Sequence, residues 1–411
     1  MRIAYVCTDP GIPVFGTKGA SLHVRAVLSE LLRRGHEVHL LCVRSGEGAA
    51  AQALLEAGLI VHQLPRVLGD DTAQREHSAQ ASDATVASLL DQIGPELVYE
   101  RYALWGRTAT AWAQAAEVPS ILEVNAPLPA EAEKYRGLHN VNAALSVARA
   151  ALGAAGTVIC VSEPVRQWAC AFAPDPTRVH TVPNGVDTQR ITPGRPEQPL
   201  TATGWPAVTP ALAHPGSPVP AVGFTTGFVG TLKPWHGVDL LIQAMSILVA
   251  LDPSHRLLVV GDGPERERLQ SLTRRLGLNE HVEFTGAVAE SEIPALLQRM
   301  HVACAPYPGG EDFYFSPLKV YEYLAAGLPV VASRIGELPA LLGHGRQGVL
   351  VTPGNVDEIS GAVEALRLDS WRREQLGNAA RATALEHDWS HVVDRIAGLA
   401  AVPLGRVHAH T

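Results

Sequence analysis

A chain of 411 residues exceeds what one hydrophobic core usually serves and suits two domains of roughly 150–200 residues, and an apolar fraction of 46% is ample for burial. The net charge of −8 is evenly shared, with 15 Lys/Arg against 19 Asp/Glu in residues 1–187 and 18 against 22 beyond, so no basic half or tail is offered to nucleic acid or to an anionic bilayer. The five cysteines (Cys7, Cys42, Cys160, Cys170, Cys304) show no paired or metal-ligand spacing and mostly lie in apolar runs, which predicts reduced core residues and a cytoplasmic setting. Met1 opens directly into a strand-like run and no apolar stretch is long enough to span a bilayer, so neither a leader nor a membrane segment is expected.

The amino-terminal half alternates strand and helix. Arg2 to Cys7 is a short apolar run, the loop Thr8 to Lys18 follows, and Gly19 to Arg34 reads as a helix with Ala20, Val24, Val27, Leu28, Leu31 and Leu32 on one face. Gly35 stops it before a second strand, Glu37 to Val43, completing a βαβ unit. Gly16 and Gly19 in the loop FGTKGAS make it either a ligand loop whose backbone approaches a bound molecule or a tight turn; the full three-glycine dinucleotide fingerprint is absent. Ile60 to His62 is strand-like, Ala79 to Ile93 helical, and Leu97 to Glu100 begins another strand, after which Arg101, Tyr102 and Trp105 either line a cleft or pack. Pro119 to Val124 is a strand whose end holds Glu123 and Asn125 beside Pro127, a pair suited to sugar hydroxyls or simply to capping the turn. Thr157 to Val161 is the next strand, Ser162-Glu163-Pro164 caps a helix through Phe172, and the strand in Val179 to Asp187 leaves the sheet at Pro183-Asn184-Gly185. Domain one thus reads as 1–188. A linker with an insertion is expected at 189–222, where eight prolines fall in 190–222 with little apolar periodicity.

The second domain reads as 223–385. Phe224 to Val229 is a strand, and Gly230 to Gly237 leads into a helix near Val238, placing Lys233 and His236 where a strand gives way to a helix, either merely solvated or set to neutralise a diphosphate. Leu257 to Val260 ends at Gly261-Asp262-Gly263-Pro264-Glu265, and further strands are expected at Val282 to Phe284 and Val302 to Pro306. In the stretch Phe313 to Ser333, Ser316-Pro317 reads as an N-terminal cap, Gly327 as the helix stop, and Leu328 to Val331 as a buried strand. The free N–H groups of Ser316 to Lys319 would welcome a phosphate. Glu322, the one carboxylate of that helix, is either a solvated charge or an acceptor for the sugar hydroxyls of a nucleotide. Trp371 to Thr383 and His387 to Ala401 are helical.

VPNGVD, GDGPE, VEFTGAV, EYLAAGLPVV and the later GELPALL and GVLVTPGN follow the order and spacing of the retaining glycosyltransferases of family 4, which this chain resembles over nearly its whole length, most strongly from Phe224 to Asn355. The resemblance implies an α/β GT-B fold: two Rossmann-like doubly wound parallel-sheet domains facing a cleft, with a terminal segment, 386–411, crossing back to the first. It implies that Glu322 binds the nucleotide ribose, that Ser316, Pro317 and Leu318 contact diphosphate and donor sugar, that Gly19 approaches the phosphates and that Val288 lies by the base, with Gly230, Thr231 and Gly263 in the same donor set. Four positions depart from the family pattern. Tyr314 stands where the family has its first glutamate, with Glu311 and Asp312 slightly upstream; Thr231 and His236 stand where it has arginine and lysine; and its histidine near the donor sugar is replaced around Asn125. Lys233 is placed to take over the lost arginine's charge, and His236 helps if protonated, which adjacent phosphate would favour.

The expected reaction is sugar transfer from a UDP- or GDP-sugar, the co-substrate in place of any bound cofactor, to an acceptor held by the first domain through Glu123, Asn125 and Tyr102, more in keeping with a small soluble metabolite or natural product. Lys233, His236 and Asn125 are the expected catalytic groups. They and the helix starts at Gly19 and Ser316 would stabilise the departing diphosphate without a metal, since no paired-aspartate motif is present. Retention comes from the resemblance. A double displacement needs a carboxylate under the anomeric carbon; none clearly fills that role, which favours same-face attack, and a glycosyl-enzyme on Glu123 or Asp312 would overturn it. Two alternatives stand beside this: a nucleotide-sugar epimerase and a catalytically silent scaffold, the latter motivated by Thr231 and Tyr314. The sequence does not fix the oligomeric state.

Overall fold

The computed structural model describes residues 1–194, 223–310 and 313–405. Most of the proline-rich stretch, together with Glu311 and Asp312, lies outside the described residues. The chain forms two units. One contains Met1–Gly185, Tyr314–Ser316 and the segment from Asp388 onward; the other contains Val186–Phe313 and Pro317–His387.

In the first unit seven parallel strands run β1 (Arg2–Cys7), β2 (Glu37–Cys42), β3 (Ile60–Gln63), β4 (Leu97–Arg101), β5 (Ser120–Val124), β6 (Thr157–Cys160) and β7 (Val179–Thr181). Their order across the sheet is β3-β2-β1-β4-β5-β6-β7, so the winding reverses between β1 and β4. Alternation along β1 explains why both faces need helices. Ile3, Tyr5 and Cys7 join a core with the helix Gly19–Arg33 and the terminal helix Trp389–Leu399, whereas Ala4 and Val6 join another with the helices Val86–Ile93 and Thr108–Ala115. The terminal helix is further fixed by Arg34, which donates to Asp394 Oδ1 at 2.7 Å and to the Ser390 carbonyl at 2.8 Å. The expected single helix from Ala79 to Ile93 is instead two, Thr72–Ala84 and Val86–Ile93, parted at Thr85, whose hydroxyl donates to the Ser82 carbonyl.

The second unit repeats the plan with six parallel strands: β8 (Phe224–Val229), β9 (His255–Val260), β10 (Val282–Gly286), β11 (Val302–Ala305), β12 (Val330–Ser333) and β13 (Gly348–Val351). The order β10-β9-β8-β11-β12-β13 reverses between β8 and β11. The helices Val238–Leu251 and Val356–Leu368 bury Leu241, Ile242, Met245 and Leu248, and Ile359, Val363 and Leu366, against Phe224, Phe228, Leu257 and Val259. At about 1.5–3 kcal/mol for each large apolar side chain, that layer is the main stabilising term of the unit. Open parallel sheets bind ligands outside the carboxyl ends of the strands where the winding reverses. In this unit that place is marked by the loops after β8 and β11.

Candidate active site

The loop after β8 is held by backbone contact with the loop after β9. Gly230 N donates to the Val260 carbonyl at 2.9 Å and Leu232 N to the Asp262 carbonyl at 2.9 Å. A side chain at Gly261, where φ is +130°, would place its Cβ 2.1 Å from the Gly230 carbonyl oxygen, and one at Gly263 would lie 2.5 Å from that of Leu232. The glycines thus serve close approach of two backbones. Thr231 is exposed. Lys233 is half-buried with Nζ over the Trp235 ring, 5.5 Å from its centroid. His236 donates from Nδ1 to the Thr231 carbonyl and sits among Phe228 and Tyr307, 6.0 Å from each ring. Burial, reinforced by the charges of Lys319 and Lys233, pushes its pKa down to about 3, so in the free protein His236 is neutral at pH 7. Val288 is half-buried just beyond the end of β10.

The helix of the organising stretch runs Leu318–Ala325. Its N-cap is Pro317 and no side chain caps it, which corrects the expectation of a Ser316 cap. Ser316 belongs to the other unit, where its hydroxyl accepts from Asn184 N at 3.4 Å and its carbonyl from Asn184 Nδ2 at 3.0 Å. Two contacts dock the helix within the second unit. The Tyr323 hydroxyl accepts from Val229 N at 2.7 Å at the end of β8, and Arg381 donates to the carbonyls of Ala325 (2.8 Å), Ile191 (2.9 Å) and Thr188 (2.9 Å). Glu322 keeps 16% of its side chain exposed, lies 3.8 Å from Arg190, and takes no hydrogen bond from the described residues. Burial pushes its pKa up to about 7 against the pull of Arg190, which is itself shared with Glu290 at 3.5 Å.

Lys319, which the motif comparison passed over, is one turn before Glu322 on the same face. Its Nζ is buried without a hydrogen-bond partner among the described residues, lies 4.3 Å from the Phe228 centroid and 5.6 Å from that of Tyr307, and would be 3.0 Å from a Cβ at Gly230. Burial brings its pKa down to about 7 although Glu322 opposes the shift.

In the first unit Glu123, 1% exposed, receives four donors: His23 Nε2 at 2.8 Å, Tyr99 Oη at 2.7 Å, Arg101 Nη1 at 2.7 Å and Asn125 Nδ2 at 2.6 Å. His23 Nδ1 meets Asn184 Oδ1 at 2.7 Å, and the His23 ring stands edge-on to Trp389. Burial alone would raise the pKa of Glu123, but His23 and Arg101 hold it well below the carboxylate range. Tyr102 is buried with its hydroxyl unpartnered among the described residues, its ring beside Trp168. Gly19 is exposed at the first position of its helix. Tyr314, also of this unit, donates its hydroxyl to Glu131 Oε2 at 2.7 Å, and its carbonyl accepts from the Ser162 hydroxyl. The expected residues therefore fall into two groups: Gly19, Tyr102, Glu123, Asn125, Tyr314 and Ser316 in one unit, and Gly230, Thr231, Lys233, His236, Gly263, Val288, Pro317, Leu318 and Glu322 in the other. Sequence reading missed His23, which flanks the apolar face three residues after Ala20, and Arg190 as the partner of Glu322.

The model of Glycosyltransferase Family 4 matches residues 17–190 and that of Glycosyl transferases group 1 matches residues 217–383. A GDP-mannose-dependent alpha-(1-6)-phosphatidylinositol monomannoside mannosyltransferase of Mycobacterium tuberculosis is 30% identical over 285 residues, 66% of this chain and 70% of that relative. The chain belongs to the family 4 glycosyltransferases. The mannosyltransferase of the same description from Mycolicibacterium smegmatis is 32% identical over 256 residues, 59% of this chain and 62% of that one. A D-inositol 3-phosphate glycosyltransferase of Corynebacterium aurimucosum is 28% identical over 253 residues, 59% and 56% respectively, so the matches leave a third or more of several relatives uncovered. Among solved structures, Anabaena HepE in complex with UDP gives a TM-score of 0.69 at 19% identity over 98% of this chain and 100% of that one. Sucrose-phosphate synthase of Thermosynechococcus elongatus gives 0.69 at 18% over 98% of each. These likenesses and the two parallel sheets make the fold of this family 4 member GT-B.

Proposed function

We propose that this chain transfers a sugar from a GDP- or UDP-sugar to a hydroxyl-bearing acceptor with retention of anomeric configuration. The observation that carries the reading is Glu322: a carboxylate near the carboxyl ends of the strands, partly accessible, free of hydrogen bonds from the described residues and flanked by Arg190, is a hydroxyl acceptor awaiting a diol. It occupies the position that meets ribose in the family. GDP-mannose is the donor to test first because relatives from two mycobacterial species are named for it. A small soluble acceptor remains the preferred class, and D-inositol 3-phosphate, named for another relative, is one of that kind. The reading also includes a reducing, cytoplasmic setting and metal-independent transfer, the latter tested by activity that survives chelation.

In this mechanism the acceptor oxygen attacks the anomeric carbon on the face from which the diphosphate leaves. The carbon–oxygen bond to the β-phosphate breaks with its electron pair on the phosphate oxygen, which takes the acceptor's proton. The four donors gathered on Glu123 support this over a covalent intermediate, because a carboxylate so held is a poor nucleophile. A second reading, a silent scaffold, is favoured by exposed Thr231 and by Tyr314 tied to Glu131.

A thermal-shift panel of UDP, GDP, ADP, dTDP and their sugar conjugates on wild type and Glu322→Ala tests the donor site. A ligand at a hundred times its dissociation constant stabilises by about 2.7 kcal/mol. One nucleotide shifting wild type but far less the variant, followed by sugar transfer with α-donor giving α-product, supports the reading. Nucleotide binding with no turnover on any acceptor brings the scaffold forward, and no binding at millimolar concentration overturns the donor site.

A further inference from the structure

The second unit contains a buried amine with no hydrogen-bond partner among the described residues. Lys319 Nζ packs over Phe228 and Tyr307 and against Gly230, at the point between β8 and β11 where the winding reverses. Docking of its helix by Tyr323 on Val229 and by Arg381 on Ala325 fixes that position. A buried donor without an acceptor is unfavourable unless a ligand supplies one. The neighbouring loop offers little competing charge: Thr231 is exposed and uncharged, His236 is neutral at pH 7, and the Lys233 ammonium lies over the Trp235 ring. Phe228 and Tyr307 stabilise an ammonium through their ring faces but cannot accept its hydrogen bonds as a phosphate oxygen would. Gly230 lets its backbone lie against Nζ, because a Cβ there would come within 3.0 Å of the amine.

Resting on the donor-site reading above, we propose that Lys319 is the cation that receives the donor's diphosphate, its Nζ donating to a phosphate oxygen and remaining there as charge develops on the leaving group. Lys319 keeps its proton throughout; the electron pair of the breaking bond stays on the β-phosphate oxygen. A pKa poised near neutrality fits such a role, since the arriving dianion draws the amine to its charged form. The role belongs to a side chain of the helix after β11, not to the loop after β8.

The test compares wild type, Lys319→Met and Lys319→Gln in titrations with GDP and UDP, with GMP and UMP, and with guanosine and uridine. The Met variant keeps the stem over Phe228 without the charge; the Gln variant keeps an N–H and serves if the Met variant does not fold. The expected result is a loss of about tenfold or more in diphosphate affinity with nucleoside affinity unchanged, and a fall in kcat with the preferred donor. Diphosphate affinity equal to wild type in a folded variant overturns the inference while leaving the donor site standing. Equal losses for diphosphate and nucleoside overturn it as well, by showing that Lys319 only shapes the helix. Wild type that binds none of these nucleotides overturns the donor-site reading itself.

Discussion

Replacing Glu123 by alanine removes the acceptor of four donors at once. Its carboxylate is 1% exposed and Arg101 beside it 8%, so the substitution leaves a buried guanidinium without its partner, along with the Tyr99 hydroxyl, the Asn125 amide and His23. Breaking a buried ion pair on one side costs about 3–5 kcal/mol. At about 2–4 °C per kcal/mol for a unit of this size, the first unit should melt about 6–20 °C lower. Glu123→Gln keeps the shape and one acceptor oxygen and should lose less than half of that. Differential scanning calorimetry across pH 3 to 8 reads both. The folded pKa of Glu123 lies below its unfolded value, so the stability it contributes is present above about pH 4.3 and lost as pH falls further; the gap between wild type and variant should therefore narrow in acid. A Glu123→Ala protein that melts within about 2 °C of wild type but has lost activity would refute the reasoning, because the carboxylate would then be acting on a substrate and not on its own unit.

Arg381→Ala removes three charge-assisted hydrogen bonds to the carbonyls of Thr188, Ile191 and Ala325 and should destabilise the second unit by about 2–4 kcal/mol, read by urea denaturation. Tyr314→Phe loses the bond to Glu131 and should cost about 1 kcal/mol, whereas Tyr314→Glu sets a second carboxylate beside Glu131 and should cost more; thermal melts of both variants check this. Glu322, whose folded pKa is raised to about 7, contributes stability that is full below about pH 4.3 and is lost as pH rises through 7, so the advantage of wild type over Glu322→Gln should shrink by up to about 3 kcal/mol across that window in pH-stepped denaturation.

Much of the fold is legible because burial on two sheet faces imprints itself on short runs. Arg2 to Cys7 and Leu257 to Val260 read as strands for that reason, and the apolar face of Gly19–Arg33 is the face that packs on β1. The break at Thr85 was not read from the sequence; the cap Asp71, whose side chain accepts from Gln74 N three residues on, marks only the earlier helix start at Thr72. Neither were the contacts of Glu123. His23 reaches it, and Asn184 reaches His23, from distant points in the chain, and which side chains converge is settled by strand order, which no local pattern encodes. The same holds for Lys319: its spacing from Glu322 was visible, but its burial against Gly230 depends on β8 and β11 being neighbours.

That dependence also says why a charge can move between elements while its electrostatic task stays in place. Stabilisation of a leaving group depends on the position of the positive charge and on how little it must reorganise, not on which element supplies it. The loop after β8 and the helix after β11 reach the same point of the second sheet from opposite sides of the reversal. Lys233 reaches out over an exposed Trp235, where solvent screens it and its side chain must be ordered on binding. Lys319 is already ordered by Phe228, Tyr307 and the docked helix, so its charge, once formed, acts in a medium of low polarity without further rearrangement. Of the two lysines, the buried one is therefore the stronger electrostatic partner for a diphosphate, and exposed Thr231 with neutral His236 are the residues such a relocation makes tolerable.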